Sequence, residues 1–147
     1  MFLKYWAPVI IWMIVIFSAS TDAFSSRHTS RFIGPFLRWF KPNISDEAIN
    51  TVQSVVRKGA HVTEYAILSI LFWRALRKPE RQDERAWQWR HAAIAFLIAT
   101  AYAISDEFHQ SFVPSRTAQS TDVLFDSSGA LLGLIVVWLF GRWRNYW

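Results

Sequence analysis

The chain has 147 residues, enough for one domain, and is 52% hydrophobic, 17% aromatic and only 18% charged. Soluble domains carry about 25% charged residues, so this composition excludes a disordered tail and argues against an ordinary soluble globule. The absence of cysteine excludes disulfide frameworks, thiolate metal ligands and thiol nucleophiles. The net charge of +5 comes from bases between apolar blocks, which favours anionic lipid headgroups over nucleic acid as partners.

Four apolar blocks follow one another along the chain, and no segment alternates like a β-strand. A transmembrane helix needs about 20 residues, a length that the later blocks reach only if their polar tips are helical. The predicted fold is all-α: one polytopic membrane domain, residues 1–147, with about four transmembrane helices. The first block also resembles a signal peptide. Whether it is a retained span or a cleaved signal, residue 21 emerges on the same side of the membrane, so the predicted topology of the rest is unchanged. The predicted spans are approximately 5–20, 60–76, 91–112 and 124–141.

The distribution of basic residues predicts the orientation, because cytoplasmic loops of membrane proteins are enriched in Lys and Arg. Six bases lie in the second loop, between residues 74 and 90, whereas the third loop has only Arg116. We therefore expect a bacterial plasma membrane protein with both termini in the cytoplasm. The expected aromatic anchors at the membrane surfaces are Trp6, Trp73, Trp138 and Trp143.

The long first loop is predicted to lie outside the membrane and to be more than a linker. Aromatic and apolar residues surround Gly34-Pro35, with Arg31, Arg38 and Lys41 between them. This pattern is typical of a segment in the membrane interface, and a lid on the helix bundle is a compatible alternative. Ser45 followed by two acids predicts a helix that starts at about Asp46 and continues into the second span.

Ionisable residues recur inside the predicted spans, where they are costly and usually mark a site. Spacings of three and four put them on shared helix faces, and the topology puts all of them at the extracytoplasmic end. The sequence therefore predicts a shared polar cavity, with an internal salt-bridge network as the alternative. Histidines among the acids favour proton transfer or metal binding. The groups are Lys58, His61, Glu64 and Tyr65, then Asp106, Glu107, His109 and Gln110, then Arg116, and then Asp122 and Asp126.

Three motifs within residues 57–133 resemble those of the VanZ-like family. They read KGAHVTEYAIL from Lys58, SDEFHQSFVPSR from Ser105 and DVLFDSSGALLG from Asp122. Ser115 stands where family members often have glycine, and the first loop lies outside the motif pattern. The resemblance implies a small polytopic membrane protein in a family linked to resistance against the glycopeptide teicoplanin. It implies no established reaction.

The site residues indicate three classes of function. An enzyme would perform hydrolysis or group transfer on an envelope lipid or cell-wall precursor, with acid–base candidates His61, Glu64, Asp106, Glu107 and His109. The substrate-binding candidates are Lys58, Tyr65, Gln110, Arg116, Asp122 and Asp126, of which the bases suit phosphate or carboxylate. A non-catalytic binder of anionic headgroups or precursors is one alternative. An ion-coupled transporter that works as an oligomer is the other.

A divalent metal is a further possibility for this site. His61 with Glu64, and Asp106 with His109, each place two potential ligands one helical turn apart. Imidazole and carboxylate suit Zn²⁺ or Mn²⁺, although the spacing matches no named zinc motif.

Overall fold

The computed structural model describes residues 2–21, 26–77, 87–113 and 120–147. These residues form five α-helices and no strand, which confirms the predicted all-helical class. The helices are α1 (Phe2–Ala19), α2 (Ser26–Phe40), α3 (Asp46–Arg77), α4 (Trp89–Gln110) and α5 (Ser120–Trp143).

The predicted helix start at Asp46 is confirmed, and α3 runs unbroken for 32 residues. The Ser45 hydroxyl accepts a hydrogen bond from the Ala48 amide at 3.2 Å, as an N-cap does. Asp46 and Glu47 occupy the first turn, where negative charge favours the helix dipole. At about 1.5 Å per residue, α3 is about 48 Å long and extends well beyond the start of α5.

The aromatic segment of the first loop is helix α2, which passes through Gly34 and Pro35 without interruption. The sequence predicted an interfacial segment here and assigned it no secondary structure, and the structure shows that it is helical. Arg38 donates to Asp46 at 2.6 Å and so joins the end of α2 to the start of α3. Beside this ion pair, Trp39 is 75% exposed, and Phe36 and Phe40 are exposed with it.

Contacts between helices establish their directions. The Trp12 indole in α1 donates to the Glu64 carbonyl oxygen in α3 at 2.9 Å, and the Tyr102 hydroxyl in α4 donates to the Met13 carbonyl oxygen at 2.8 Å. A second contact in each pair gives the direction: Trp6 packs against Phe72, and Ser20 binds Asp106. Gly129 and Gly133 of α5 lie against successive turns of α3, at Val62 and Ala66. Helices α1 and α4 therefore run in one direction, and α3 and α5 run in the other. We call the end where α1 and α4 finish and α5 begins the polar end, and the opposite end the aromatic end.

Small residues pack inside the bundle, and large apolar residues face outward. Gly129 and Gly133 of α5 lie directly against the backbone of α3, where an added Cβ would overlap the carbonyl oxygens of Val62 and Ala66. The buried face of α4 consists largely of alanines, namely Ala92, Ala95, Ala99 and Ala103. Large exposed residues cover the outside of the helices, among them Ile11, Ile14, Leu97, Ile104, Leu131, Val136 and Leu139.

One helix in the described part of the chain is both long and apolar enough to span a membrane by composition alone. It is Thr121–Trp143, with a mean hydropathy of 2.0, and only 28% of its apolar window is buried in the bundle. Leu3–Ala19 is a shorter apolar helix. Helices α3 and α4 are long, but ionisable residues interrupt their apolar character.

Tryptophans close the aromatic end. Trp73 stacks on Trp87 with 5.0 Å between ring centroids, and the Arg77 guanidinium lies 5.3 Å from the Trp73 ring and 5.1 Å from the Trp147 ring. Trp147 also donates its indole N–H to the Trp138 carbonyl oxygen at 3.2 Å. Trp73 is 8% exposed, so the prediction of a surface anchor is wrong for this residue, whose ring faces other tryptophans.

Candidate functional site

The polar end brings a histidine of α3 and an aspartate of α5 into contact. His61 Nδ1 lies 3.2 Å from Asp126 Oδ1, and the two side chains are 12% and 3% exposed. The distance is that of an ion pair, but the ring N–H does not point at the oxygen, so neither atom makes an aligned hydrogen bond. Close packing at Gly129 positions the pair, because it brings the two backbones together one turn away.

A second polar contact joins the ends of α1 and α4. Ser20 and Gln110 both donate to Asp106 Oδ2, at 2.8 and 2.9 Å, and Gln110 also lies 3.3 Å from the Ser20 hydroxyl. All three residues are 3% exposed. Ser20 was not among the residues predicted from the sequence. Its only signal was a small polar residue at the end of the first span, which equally fits a signal-peptide cleavage site.

The two contacts belong to one group of charges. Asp126 interacts electrostatically with His61, Asp106 and Asp122, and Tyr65 interacts with Asp106 and Asp126. Four helices therefore contribute to one region. We call it the polar cluster, defined as Ser20, His61, Tyr65, Asp106, Gln110, Asp122 and Asp126.

Several buried polar atoms of this region have no hydrogen-bond partner within the described residues. Native proteins satisfy most buried polar groups, so an unsatisfied set calls for a water, an ion or a ligand. Tyr65 is completely buried, and the three aspartates are at most 8% exposed. The atoms are His61 Nδ1, Tyr65 Oη, Asp106 Oδ1, His109 Nδ1, Asp122 Oδ1 and Asp126 Oδ1.

Lys58 and Asp122 lie one helical turn outward from the His61–Asp126 pair, on α3 and α5 respectively. The Lys58 ammonium lies 4.5 Å above the Phe125 ring. A shallow open groove of about 520 Å³ continues outward from Lys58 along α3. Its lining residues are Glu47, Asn50, Thr51, Ser54, Val55 and Lys58.

The remaining predicted site residues have different surroundings. Glu64 is half-buried and electrostatically coupled to His61, while its backbone carbonyl accepts the bond from Trp12. His109 packs against Phe17 of α1, with ring centroids 4.4 Å apart, and Glu107 is half-buried. Arg116 lies outside the described residues.

The contacts of His61 and Asp106 differ from the two ligand pairs that the metal hypothesis predicted. The carboxylate in contact with His61 is Asp126 rather than the predicted Glu64. Asp106 is held by Ser20 and Gln110 rather than by His109. Over the described ranges, no three His, Asp or Glu side chains come close enough together to hold a metal ion.

Comparison with known proteins agrees with the motifs. The sequence model of the VanZ/LLP1 family matches residues 5–141 of the 147-residue chain. The match includes most of α1 and nearly all of α5, beyond the three motifs. No curated protein and no solved structure is significantly similar to the chain. With a match over almost the whole length, the chain belongs to the VanZ/LLP1 family.

Proposed function

We propose that the protein is an integral membrane protein in which α1, α3, α4 and α5 span the bacterial plasma membrane. Alanines and glycines at helix contacts, with Leu, Ile and Phe outside, are the arrangement that helices adopt in lipid. So large an exposed apolar surface would be a liability on a soluble monomer. The polar end then lies on the extracytoplasmic side, with both termini inside, as the basic loops predict.

Packing of α1 supports its retention in the mature protein. Val9 and Ile16 are each 1% exposed and belong to the hydrophobic core. Ser20, at the end of the helix, binds Asp106. A cleaved signal peptide would take these contacts away, so they favour a first membrane span over a signal peptide.

The proposed activity is hydrolysis or group transfer on an envelope lipid or lipid-linked cell-wall precursor at the polar end. The observation that carries it is the 3.2 Å juxtaposition of His61 and Asp126 in a buried site. A rotation of the imidazole that aligns Nδ1–H with the Asp126 carboxylate would hold the ring in one orientation and leave Nε2 for proton transfer. His61 would take the proton of an attacking water or hydroxyl, and Asp126 would stabilise the resulting imidazolium.

Positive charge at the rim supports a phosphate-bearing substrate. Lys58 lies one turn outward from His61 and, among the described residues, has the Phe125 ring rather than a carboxylate as its contact. Arg116 precedes α5 in the chain and is the second candidate to bind phosphate. These two residues would hold the substrate while His61 transfers the proton.

The test is turnover by the purified protein in lipid nanodiscs. Bacterial envelope lipids and lipid-linked precursor are supplied, and the products are identified by mass spectrometry. We expect His61→Ala and Asp126→Asn to lower the rate about 100-fold or more, because general acid–base catalysis typically contributes that much. Asp46→Asn removes an exposed carboxylate far from the pair and should keep the wild-type rate. Turnover that persists in both site variants would contradict the catalytic proposal.

A binding protein without catalysis is the second candidate, and the burial of the His61–Asp126 pair favours it. A site that only binds needs no access for water to the imidazole. The prediction that separates the candidates is binding by His61→Ala: a binder loses part of its affinity, whereas an enzyme keeps binding and loses turnover.

A link to glycopeptide resistance belongs to the same proposal and rests on family membership. A protein that modifies or masks an envelope precursor would change access of teicoplanin to its target. Expression in a susceptible strain should therefore raise the inhibitory concentration of teicoplanin, and His61→Ala should cancel that increase. An unchanged concentration on wild-type expression would remove the resistance role and leave the membrane site.

A further inference from the structure

We infer that the polar cluster and the adjacent Lys58 together recognise a zwitterionic phospholipid headgroup, whose ammonium group is bound by Asp122 and neighbouring carboxylates while Lys58 binds the phosphate. The inference rests on the proposed function and names the chemistry of the substrate. It comes from the balance of charge in the cluster and from the buried oxygens that have no donor.

The described cluster contains more negative than positive charge. Asp126 interacts electrostatically with Asp106, Asp122 and His61. Asp106 lies on α4, and the other two aspartates lie on α5. Within the described ranges the ion pairs are Arg38 with Asp46 and His61 with Asp126. Asp106 and Asp122 therefore have no cationic side chain within 4 Å among the described residues.

Unused hydrogen-bond capacity leads to the same conclusion. Asp106 and Asp122 each retain a buried Oδ1 without a donor among the described residues, and they are 3% and 8% exposed. A buried acceptor without a donor costs free energy, so a ligand that supplies N–H groups is favoured there. An alkylammonium supplies three donors and a positive charge. A bare phosphate would supply neither and would be repelled.

The rim carries opposite charges that match the two halves of a zwitterion. Lys58 of α3 and Asp122 of α5 each lie one turn outward from the His61–Asp126 pair on their own helices, yet they do not form an ion pair with each other. Lys58 also ends the groove that runs outward along α3, whose other lining residues include the uncharged Asn50, Thr51 and Ser54. A headgroup at this rim would place its phosphate at Lys58 and its amine at Asp122.

Inward from this rim, the residues of the site lie one helical turn after another. Below the rim lie His61 and Asp126, and below them lies the fully buried Tyr65. A headgroup bound at the rim would therefore sit directly outward of the proposed acid–base pair. This arrangement makes the ammonium-binding residues positioning residues for the reaction.

The experiment measures lipid binding by the wild-type protein in detergent micelles. Short-chain fluorescent phosphatidylethanolamine is compared with its N-acetylated form, which lacks the positive charge, and with phosphatidylglycerol, which lacks the amine. We expect phosphatidylethanolamine to bind at least about tenfold more tightly than either, about 1.4 kcal/mol. Asp122→Asn should remove this preference, and Asp46→Asn should keep it. Thermal melting of each variant establishes that it is folded.

Four results would overturn the inference. Equal affinity of the wild-type protein for phosphatidylethanolamine and its N-acetylated form would do so without any variant. Tight binding of all three lipids would contradict the ammonium site but would be consistent with the proposed action on a lipid. Binding of none of them would contradict both proposals. Zn²⁺ that copurifies with the wild-type protein and is lost in Asp122→Asn would assign the carboxylates to a metal instead.

Discussion

Gly129 lies so close to Val62 that a Cβ atom at position 129 would overlap the Val62 carbonyl oxygen. The same relationship recurs one turn along, between Gly133 and Ala66. Contact at backbone distance allows Ser69 to donate to the Ala130 carbonyl oxygen at 2.8 Å. The packing of α3 on α5 therefore determines how the histidine and the aspartate of the polar end meet.

Gly129→Ala should destabilise the protein by about 1–3 kcal/mol, because an added methyl in a filled interface forces backbones apart. The measurement is thermal unfolding in detergent. Gly59→Ala is the matched control, since Gly59 has open space around it and lies within α3. Alanine there should stabilise the helix by about 0.5–1 kcal/mol. Equal melting temperatures for the two variants would contradict the close packing of α3 and α5.

Ser20→Ala should cost about 1.5–3 kcal/mol, because Asp106 loses a buried hydrogen bond of the kind made to charged groups. Unfolding with and without the substitution measures this directly. Ser128→Ala makes the same chemical change on an exposed hydroxyl that binds only the Phe125 carbonyl of its own helix. That control should change stability by less than about 0.5 kcal/mol. Equal losses in the two variants would show that α1 is not joined to α4 through this bond.

Topology can be tested with single cysteines, since the chain has none of its own. Gln88 and Ser111 flank α4, both are exposed, and about 33 Å of helix separates them. In intact cells, an impermeant thiol reagent should label Ser111→Cys and leave Gln88→Cys unlabelled until the cells are opened. The reverse pattern would put the polar cluster at the cytoplasmic face and overturn the extracytoplasmic proposal.

Trp147→Ala should destabilise the aromatic end by about 2 kcal/mol, through lost ring packing and the lost contact with the Arg77 cation. The melting temperature reports the loss. Trp143→Ala removes a ring that is 75% exposed and contacts Phe140, so it should cost clearly less. The polar cluster lies at the other end of the bundle, so lipid binding should be unchanged in both variants.

The helical periodicity of the sequence correctly predicted α3, since an N-cap serine and acids in the first turn act locally. Spacings of three and four also grouped His61 with its own helix neighbours. They could not predict that its contact would be Asp126, because that depends on how deeply Gly129 lets α5 approach α3. The first loop was predicted as an interfacial segment without a secondary structure, and α2 is helical in spite of the low helix propensity of Gly34 and Pro35.

The bond between Ser20 and Asp106 has a consequence for how the chain is made. The two residues are 86 positions apart, so in the proposed topology the serine reaches its place long before the carboxylate is synthesised. Moving a carboxylate into lipid costs free energy, and hydrogen bonds to that carboxylate lower the cost. Asp106 accepts such bonds from Ser20, which is already in place, and from Gln110 of its own helix. Biogenesis of this protein should therefore depend on early and late segments meeting in the insertion machinery, and the first helix would act as an internal chaperone for the fourth.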